Sequence, residues 1–172
     1  VLLIYARLSG GDPGDKSRIF PVVVERGTPG LETGPPLEKF GMHASPTGDI
    51  FLDDVRVPRE NLLGDPDRPA RSTAENTLAS ERIVIVAMCL GVIERCIDEA
   101  IAHAKERVQF GKPIAAFQLT QQKIARMYVA QENVRNSMFA LIHGQESGTL
   151  SEKQVSAAKW YATESAANAA LD

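Results

Sequence analysis

The spacing of apolar positions changes period near residue 72 and divides the chain into a β-rich part and a helical part. Over residues 1–71, short apolar runs at 1–5, 19–24 and 50–52 alternate with turn clusters, and most of the glycine and proline falls here. These runs predict strands. Gly10-Gly11-Asp12-Pro13-Gly14 and Gly27-Thr28-Pro29-Gly30 read as turns, and Pro35-Pro36 is expected to hold the chain extended.

From Ser72 onward the apolar residues recur at helical spacing. Ser72-Thr73-Ala74-Glu75 has the capping-box pattern, in which two side chains satisfy backbone donors left orphaned at a helix start. One long helix is expected to about residue 106, where Phe110-Gly111-Lys112-Pro113 interrupts the pattern. A second helix over 118–145 carries Ile124, Met127, Val134, Met138 and Leu141 on one stripe, with Gly144 and Gly148 bracketing its end. Ser151-Glu152-Lys153-Gln154 is a further capping box and opens an alanine-rich third helix running to Asp172. No cap or turn announces the first strand and no stop signal closes the last helix, so the sequence reads as a piece of a larger protein. The expected fold class is α+β: a partial antiparallel β-domain over residues 1–71, then an antiparallel helical bundle over 72–172.

Composition narrows the function classes. With 172 residues, 44% of them hydrophobic and 24% charged, the chain reads as a folded globular protein. A net charge of -3 with the two signs interspersed leaves no basic stripe for a phosphate backbone, so nucleic acid is not an expected partner. The apolar run at 83–90 is far short of the roughly 20 residues that cross a bilayer, and no targeting signal is visible. Cys89 and Cys96 lie two helical turns apart, too far to bridge, which fits a reduced, intracellular setting. Three isolated histidines offer no ligand spacing, and no metal is expected.

Two places could carry chemistry. Glu81 opens an almost wholly apolar helical stretch, with Leu78 three before it and Ile85 and Met88 four and seven after. The carboxylate is therefore expected on the face that enters a core or cleft, where desolvation raises its pKa into the range of a general base. A surface or ion-paired glutamate is the plainer alternative. The second place is the corner between the first two helices, where Arg107, Gln109, Phe110, Phe117 and Gln118 combine a guanidinium, two amides and two aromatic rings. Arginine can hold a diphosphate through paired charge-assisted bonds and phenyl rings can stack on flat heterocycles, although a helix end with a cation and an apolar plug has the same composition. Asp53-Asp54 suggests an acid pair, but neighbours in a strand point to opposite faces, and a solvated strand end is expected there. The glycines lack the strand-to-helix context of a phosphate-binding loop.

Blocks spanning nearly the whole chain resemble the acyl-CoA dehydrogenases. Pro29-Gly30-Leu31, residues 38–42 (Glu-Lys-Phe-Gly-Met), residues 50–58 and Asn61-Leu62-Leu63-Gly64 resemble the closing strands of that family's middle β-domain. Residues 78–82 (Leu-Ala-Ser-Glu-Arg), residues 107–113, Phe117-Gln118 and Ala158-Lys159 resemble the first three helices of its C-terminal four-helix bundle. The resemblance implies an FAD enzyme that removes the α-proton of an acyl-CoA with a glutamate and passes the β-hydrogen to the flavin as hydride, giving a trans-2-enoyl-CoA. It further implies an electron-transferring flavoprotein as electron acceptor. It also implies a homotetramer or homodimer in which Arg107, Gln109, Phe110, Phe117 and Gln118 contact FAD held mainly by a neighbouring subunit. Arg82 would lie beside the bound acyl-CoA. Isovaleryl-type and long-chain branches place the base where Glu81 stands, whereas other members carry it in a later segment, beyond Asp172 here. Asp65-Pro66-Asp67-Arg68-Pro69 departs from the family's usual glycine-containing connection. An acyl-CoA oxidase or flavin monooxygenase-like relative, and a non-catalytic helical scaffold, are the alternatives. The expected compartment is intracellular: the cytoplasm, or the mitochondrial matrix in a eukaryote.

Overall fold

A computed structural model describes residues 1–7, 19–65 and 73–172, with residues 73–79 described by backbone alone. The Gly10–Gly14 turn, most of the connection after Gly64, and the capping box at Ser72, including the side chain of Glu75, fall outside the described residues. The chain forms two compact units, Val1–Asn76 and Thr77–Asp172. Antiparallel strands followed by an antiparallel helical bundle give the α+β class expected from the sequence.

In the first unit, β1 (Leu2–Arg7) and β2 (Ile19–Val24) pair antiparallel, with Leu2 opposite Val24 and Arg7 opposite Ile19. Side chains alternate across a strand, and in β1 Leu2, Ile4 and Ala6 take the more sheltered face while Leu3 and Tyr5 take the exposed one. In β2, Phe20 and Val24 are buried. The segment after a short 3-10 turn at Arg59–Asn61 closes on the other side of β2: the amide of Leu63 donates to the Pro21 carbonyl at 2.9 Å, and the Asn61 side-chain amide to the Val23 carbonyl at 2.9 Å.

β3 (Leu31–Thr33) pairs antiparallel with β4 (Ile50–Leu52). The ladder runs on past both strands, through Gly34 to Asp49 and Leu37 to Thr47, so Pro35-Pro36 does sit in extended chain. Among the described residues of the first unit, β3 is the strand not expected from the sequence, because Leu-Glu-Thr is too short and too polar to show a period. Gly30 enters it at φ 83°, and a Cβ there would stand 2.0 Å from the Asp53 carbonyl oxygen, so the turn leaves no room for any other residue.

The second unit holds α1 (Thr73–Glu106, whose first four residues belong to the first unit), α2 (Gln118–Glu146) and α3 (Glu152–Leu171), close to the bounds expected from the sequence. α1 buries Ile83, Val86, Leu90, Ile93 and Ile97, an alternating three- and four-residue spacing that draws one seam along the helix. Met127, Val134 and Leu141 of α2 meet it at seven-residue spacing, with Ile124 and Met138 half-buried beside them. α3 contributes Val155, Ala162, Ala166 and Ala169, small residues that let its backbone approach the other two.

Polar pairs fix the order of the helices. Glu94 of α1 accepts from Gln131 at 3.2 Å and from Arg135 at 3.0 Å on α2, while Asn133 of α2 donates to the Tyr161 hydroxyl of α3 at 3.2 Å. Lys123, near the start of α2, pairs with Asp172, so α2 runs antiparallel to α3. α2 ends within the bracket drawn by Gly144 and Gly148: the amides of Thr149 and Leu150 both donate to the Gly144 carbonyl, at 2.9 and 3.1 Å. The capping box at Ser151 then forms as its spacing requires, with Gln154 Oε1 accepting the Ser151 amide at 3.0 Å and Ser151 Oγ accepting the Gln154 amide at 3.3 Å.

Candidate active site and cofactor corner

Glu81 is exposed, which overturns the expectation of a desolvated carboxylate on the packed face. The seam of α1 runs through Ile83, Val86 and Leu90, and successive helical residues are turned by about 100°, so the stripe of Glu81 falls outside it. Ile85, four residues on, is half-buried, and Met88, seven on, is 55% exposed. Val84, Met88 and Val92 make this side of α1 an uncovered apolar surface with a carboxylate at its N-terminal end. The side chain of Leu78 lies outside the described residues.

Arg82 lies on the neighbouring stripe, about 100° around the helix from Glu81. Its guanidinium is half-buried and donates to Glu152 Oε1 at 3.3 Å, joining the first described turns of α1 to the first turn of α3. The sequence offered no sign of this partner, since 70 positions separate the two residues.

The corner between α1 and α2 is a two-residue hairpin, β5 (Val108–Gln109) with β6 (Lys112–Pro113). Phe110 and Gly111 form its turn with φ of 50° and 77°, the pair of left-handed residues that a tight hairpin of this twist requires. The Ile114 amide donates to the Arg107 carbonyl at 2.8 Å, and a 3-10 turn over Ile114–Ala116 delivers Phe117 to the N-terminus of α2. The ring of Phe110 meets that of Phe117 edge to face at 6.2 Å, and the Lys112 ammonium stands 4.6 Å above the Phe117 ring. Lys112 is the cation that sequence reasoning passed over here; a Lys five residues before a Phe carries no recognisable signal.

These residues fit an anionic aromatic cofactor. The Arg107 guanidinium and the amides of Gln109 and Gln118 are exposed and have no side-chain partner among the described residues, and Phe110 is 92% exposed. A cation, two amides and a presented ring are the donor set for a diphosphate joined to a flat heterocycle. Glu81 and Glu106 are 25 residues apart on α1, about 37 Å at 1.5 Å per residue, so the corner and the carboxylate stand at opposite ends of the helix.

Among the described residues no cluster of three or more metal-ligating side chains forms, and no helix is long and apolar enough to cross a membrane. Cys89 is buried and Cys96 half-buried, both as free thiols. Asp53 and Asp54 lie beyond the end of β4 and are exposed, with Asp54 paired to Arg56 at 3.0 Å, as expected of a solvated strand end.

A family model described as acyl-CoA dehydrogenase, C-terminal domain, matches residues 71–172. The chain is 38% identical over 170 residues to a glutaryl-CoA dehydrogenase of Desulfococcus multivorans, a match covering 98% of this chain and 43% of that protein. It is 31% identical over 172 residues to a mitochondrial isovaleryl-CoA dehydrogenase of Oryza sativa subsp. japonica, covering 99% of this chain and 41% of that one. Among solved structures, butyryl-CoA dehydrogenase from Megasphaera elsdenii superimposes with a TM-score of 0.86 at 31% identity, over 98% of this chain and 43% of the other. The chain thus spans less than half the length of these relatives. On the family match and on these likenesses, which run the length of both units, the chain belongs to the acyl-CoA dehydrogenase family.

Proposed function

We propose that this chain is part of an FAD-dependent enzyme that converts an acyl-CoA to its trans-2-enoyl-CoA. In this reading residues 1–71 close the middle β-domain and residues 72–172 supply the first three helices of the C-terminal bundle. The observation that carries it is the presented corner of Arg107, Gln109, Phe110, Phe117 and Gln118, whose cation and amides lack partners among the described residues. Bound flavin supplies the hydride acceptor for the β-hydrogen. Arg107 contributes a charge-assisted contact to the diphosphate, Gln109 and Gln118 contribute amide donors, and the Phe110 and Phe117 rings cover apolar edges.

The separation of about 37 Å along α1 supports a division of labour between subunits. The corner of one copy serves the flavin beside which another copy's Glu81 works, so a homodimer or homotetramer is the expected working form. Glu81 takes the α-proton. The acyl chain or further protein covers the apolar surface of Val84, Met88 and Val92 beside the carboxylate. Arg82, one position on, lies beside the CoA thioester. Electrons leave to an electron-transferring flavoprotein, and the compartment is the cytoplasm, or the matrix of a mitochondrion.

The test uses the full-length parent protein isolated with its flavin. Wild type and Glu81→Gln are titrated with isovaleryl-CoA and a straight-chain acyl-CoA series while flavin absorbance is followed. Bleaching in wild type, lost in the variant with binding intact, is the expected result. Bleaching that survives Glu81→Gln moves the base beyond Asp172, peroxide formation with oxygen uptake makes the protein an oxidase, and a parent protein that retains no flavin leaves a scaffold.

A further inference from the structure

We propose that Glu152 is a positioning residue for Arg82, holding the guanidinium in the orientation in which it meets the acyl-CoA; this rests on the reading of Arg82 given above. The two side chains differ in exposure: 34% for Arg82 and 82% for Glu152. The arginine is the partner that gives up water, so it is the one whose orientation depends on a fixed counter-charge. A long, flexible side chain in that position has many rotamers, and a single acceptor at 3.3 Å selects among them.

The backbone that carries Glu152 is held on both sides. Glu152 occupies the first turn of α3, directly between the two arms of the Ser151–Gln154 capping box. On one side Leu150 packs against the core and its amide is tied to the Gly144 carbonyl at 3.1 Å. On the other, Val155 is 1% exposed and fixes the helix axis. The loop between α2 and α3 thereby becomes a support for a residue at the start of α1.

The test is a double-mutant cycle on the full-length flavoprotein, with Arg82→Gln, Glu152→Gln and the pair, and Glu152→Asp as the conservative variant. Rates are read with a saturable acyl-CoA and an artificial electron acceptor. Glu152→Gln is expected to raise KM about two- to five-fold with kcat within twofold, the range of a partly exposed ion pair. Glu152→Asp should recover part of that loss, and in the Arg82→Gln background Glu152→Gln should have no further effect. Equal effects of Glu152→Gln in both backgrounds, or an unmoved KM where Arg82→Gln raises it, would overturn the positioning role alone. A silent Arg82→Gln overturns the reading of Arg82 and this inference with it, and a wild type that no acyl-CoA reduces removes the proposed function itself. Thermal midpoints accompany the series: a KM effect that disappears once variants are compared at equal fractions folded also overturns the proposal.

Discussion

Phe110 and Phe117 meet edge to face, ring centroids 6.2 Å apart and planes at 84°, although Phe110 sits at φ 50° and 92% exposed. A left-handed phenylalanine costs about 1 kcal/mol or more relative to glycine, and a ring pair returns about 0.5–1.5 kcal/mol. The strain and the contact roughly cancel.

Replacing that ring should therefore separate stability from cofactor retention. Phe110→Asn keeps a side chain tolerant of positive φ and is expected to change the stability of the flavoprotein by less than about 1 kcal/mol. Flavin should nevertheless dissociate more readily on dilution, read from the absorbance passing a desalting column. A variant that keeps its flavin as tightly as wild type argues against the corner as a cofactor contact.

Arg107 has no side-chain partner among the described residues, so its truncation should leave the fold alone. Arg107→Ala is expected to shift stability by no more than about 0.5 kcal/mol and to weaken FAD binding by roughly tenfold, the scale of one charge-assisted bond. Arg107→Lys should recover only part of this, because an ammonium cannot form the paired contact. Reconstitution of apoprotein with FAD, followed by fluorescence quenching, measures both.

The seam of α1 and its uncovered side predict opposite responses to truncation. Ile93, 0% exposed, should cost about 2–5 kcal/mol when cut to alanine. Val84→Ala, at a position 58% exposed in this chain, should cost less than 1 kcal/mol if nothing covers it, on the order of a surface change. Denaturant unfolding of the two variants decides this, and a large loss for Val84→Ala would show that further protein packs on that side.

Burial raises the Cys89 thiol above its ordinary value of 9.0, opposed by the nearby Lys159 cation. The folded state thus holds its proton more tightly than the unfolded chain does. The resulting contribution to stability is fully present below 9.0 and is lost as pH climbs through the raised folded value. Stability should fall more steeply with alkaline pH in wild type than in Cys89→Ala, measured by urea unfolding at several pH values. Parallel slopes would remove Cys89 as the cause.

Gly30 tests the first unit by itself. A methyl at that position meets the Asp53 carbonyl oxygen at 2.0 Å, so Gly30→Ala must open the junction of β3 and β4. Limited proteolysis should cut between residues 30 and 53 in the variant before it cuts wild type, and identical digestion patterns would contradict the close approach.

Much of this architecture is local and could be read from the chain. Helix ends depend on neighbours within four residues, so Ser151 with Gln154, Gly148, and the Phe110-Gly111 break marked the helices to within a residue or two. The stripe of Met127, Val134 and Leu141 was legible because α2 is polar elsewhere, and only one of its faces could be buried. The corner between α1 and α2 was visible as a composition, a cation and two rings beside a helix break, and the hairpin turned that composition into a presented surface.

What α1 buries was settled only in three dimensions. Residues 83–90 are apolar around the whole helix, so periodicity could not choose between the stripe of Glu81, Ile85 and Met88 and the seam of Ile83, Val86 and Leu90. That choice belongs to α2 and α3, whose side chains must fill the space against one seam at interior density. The partner of Arg82 was hidden for the same reason: no rule of local spacing joins residues 82 and 152, and only the packing of parallel neighbours α1 and α3 brings a carboxylate to that guanidinium. By itself the sequence determined the three helices, the strands β1, β2 and β4 and the family, because those depend on near neighbours and ordered motifs, whereas β3, β5 and β6 are too short to show a period. Tertiary structure decided which face is covered and which charges meet, because burial is a property of surfaces that come together from distant parts of the chain.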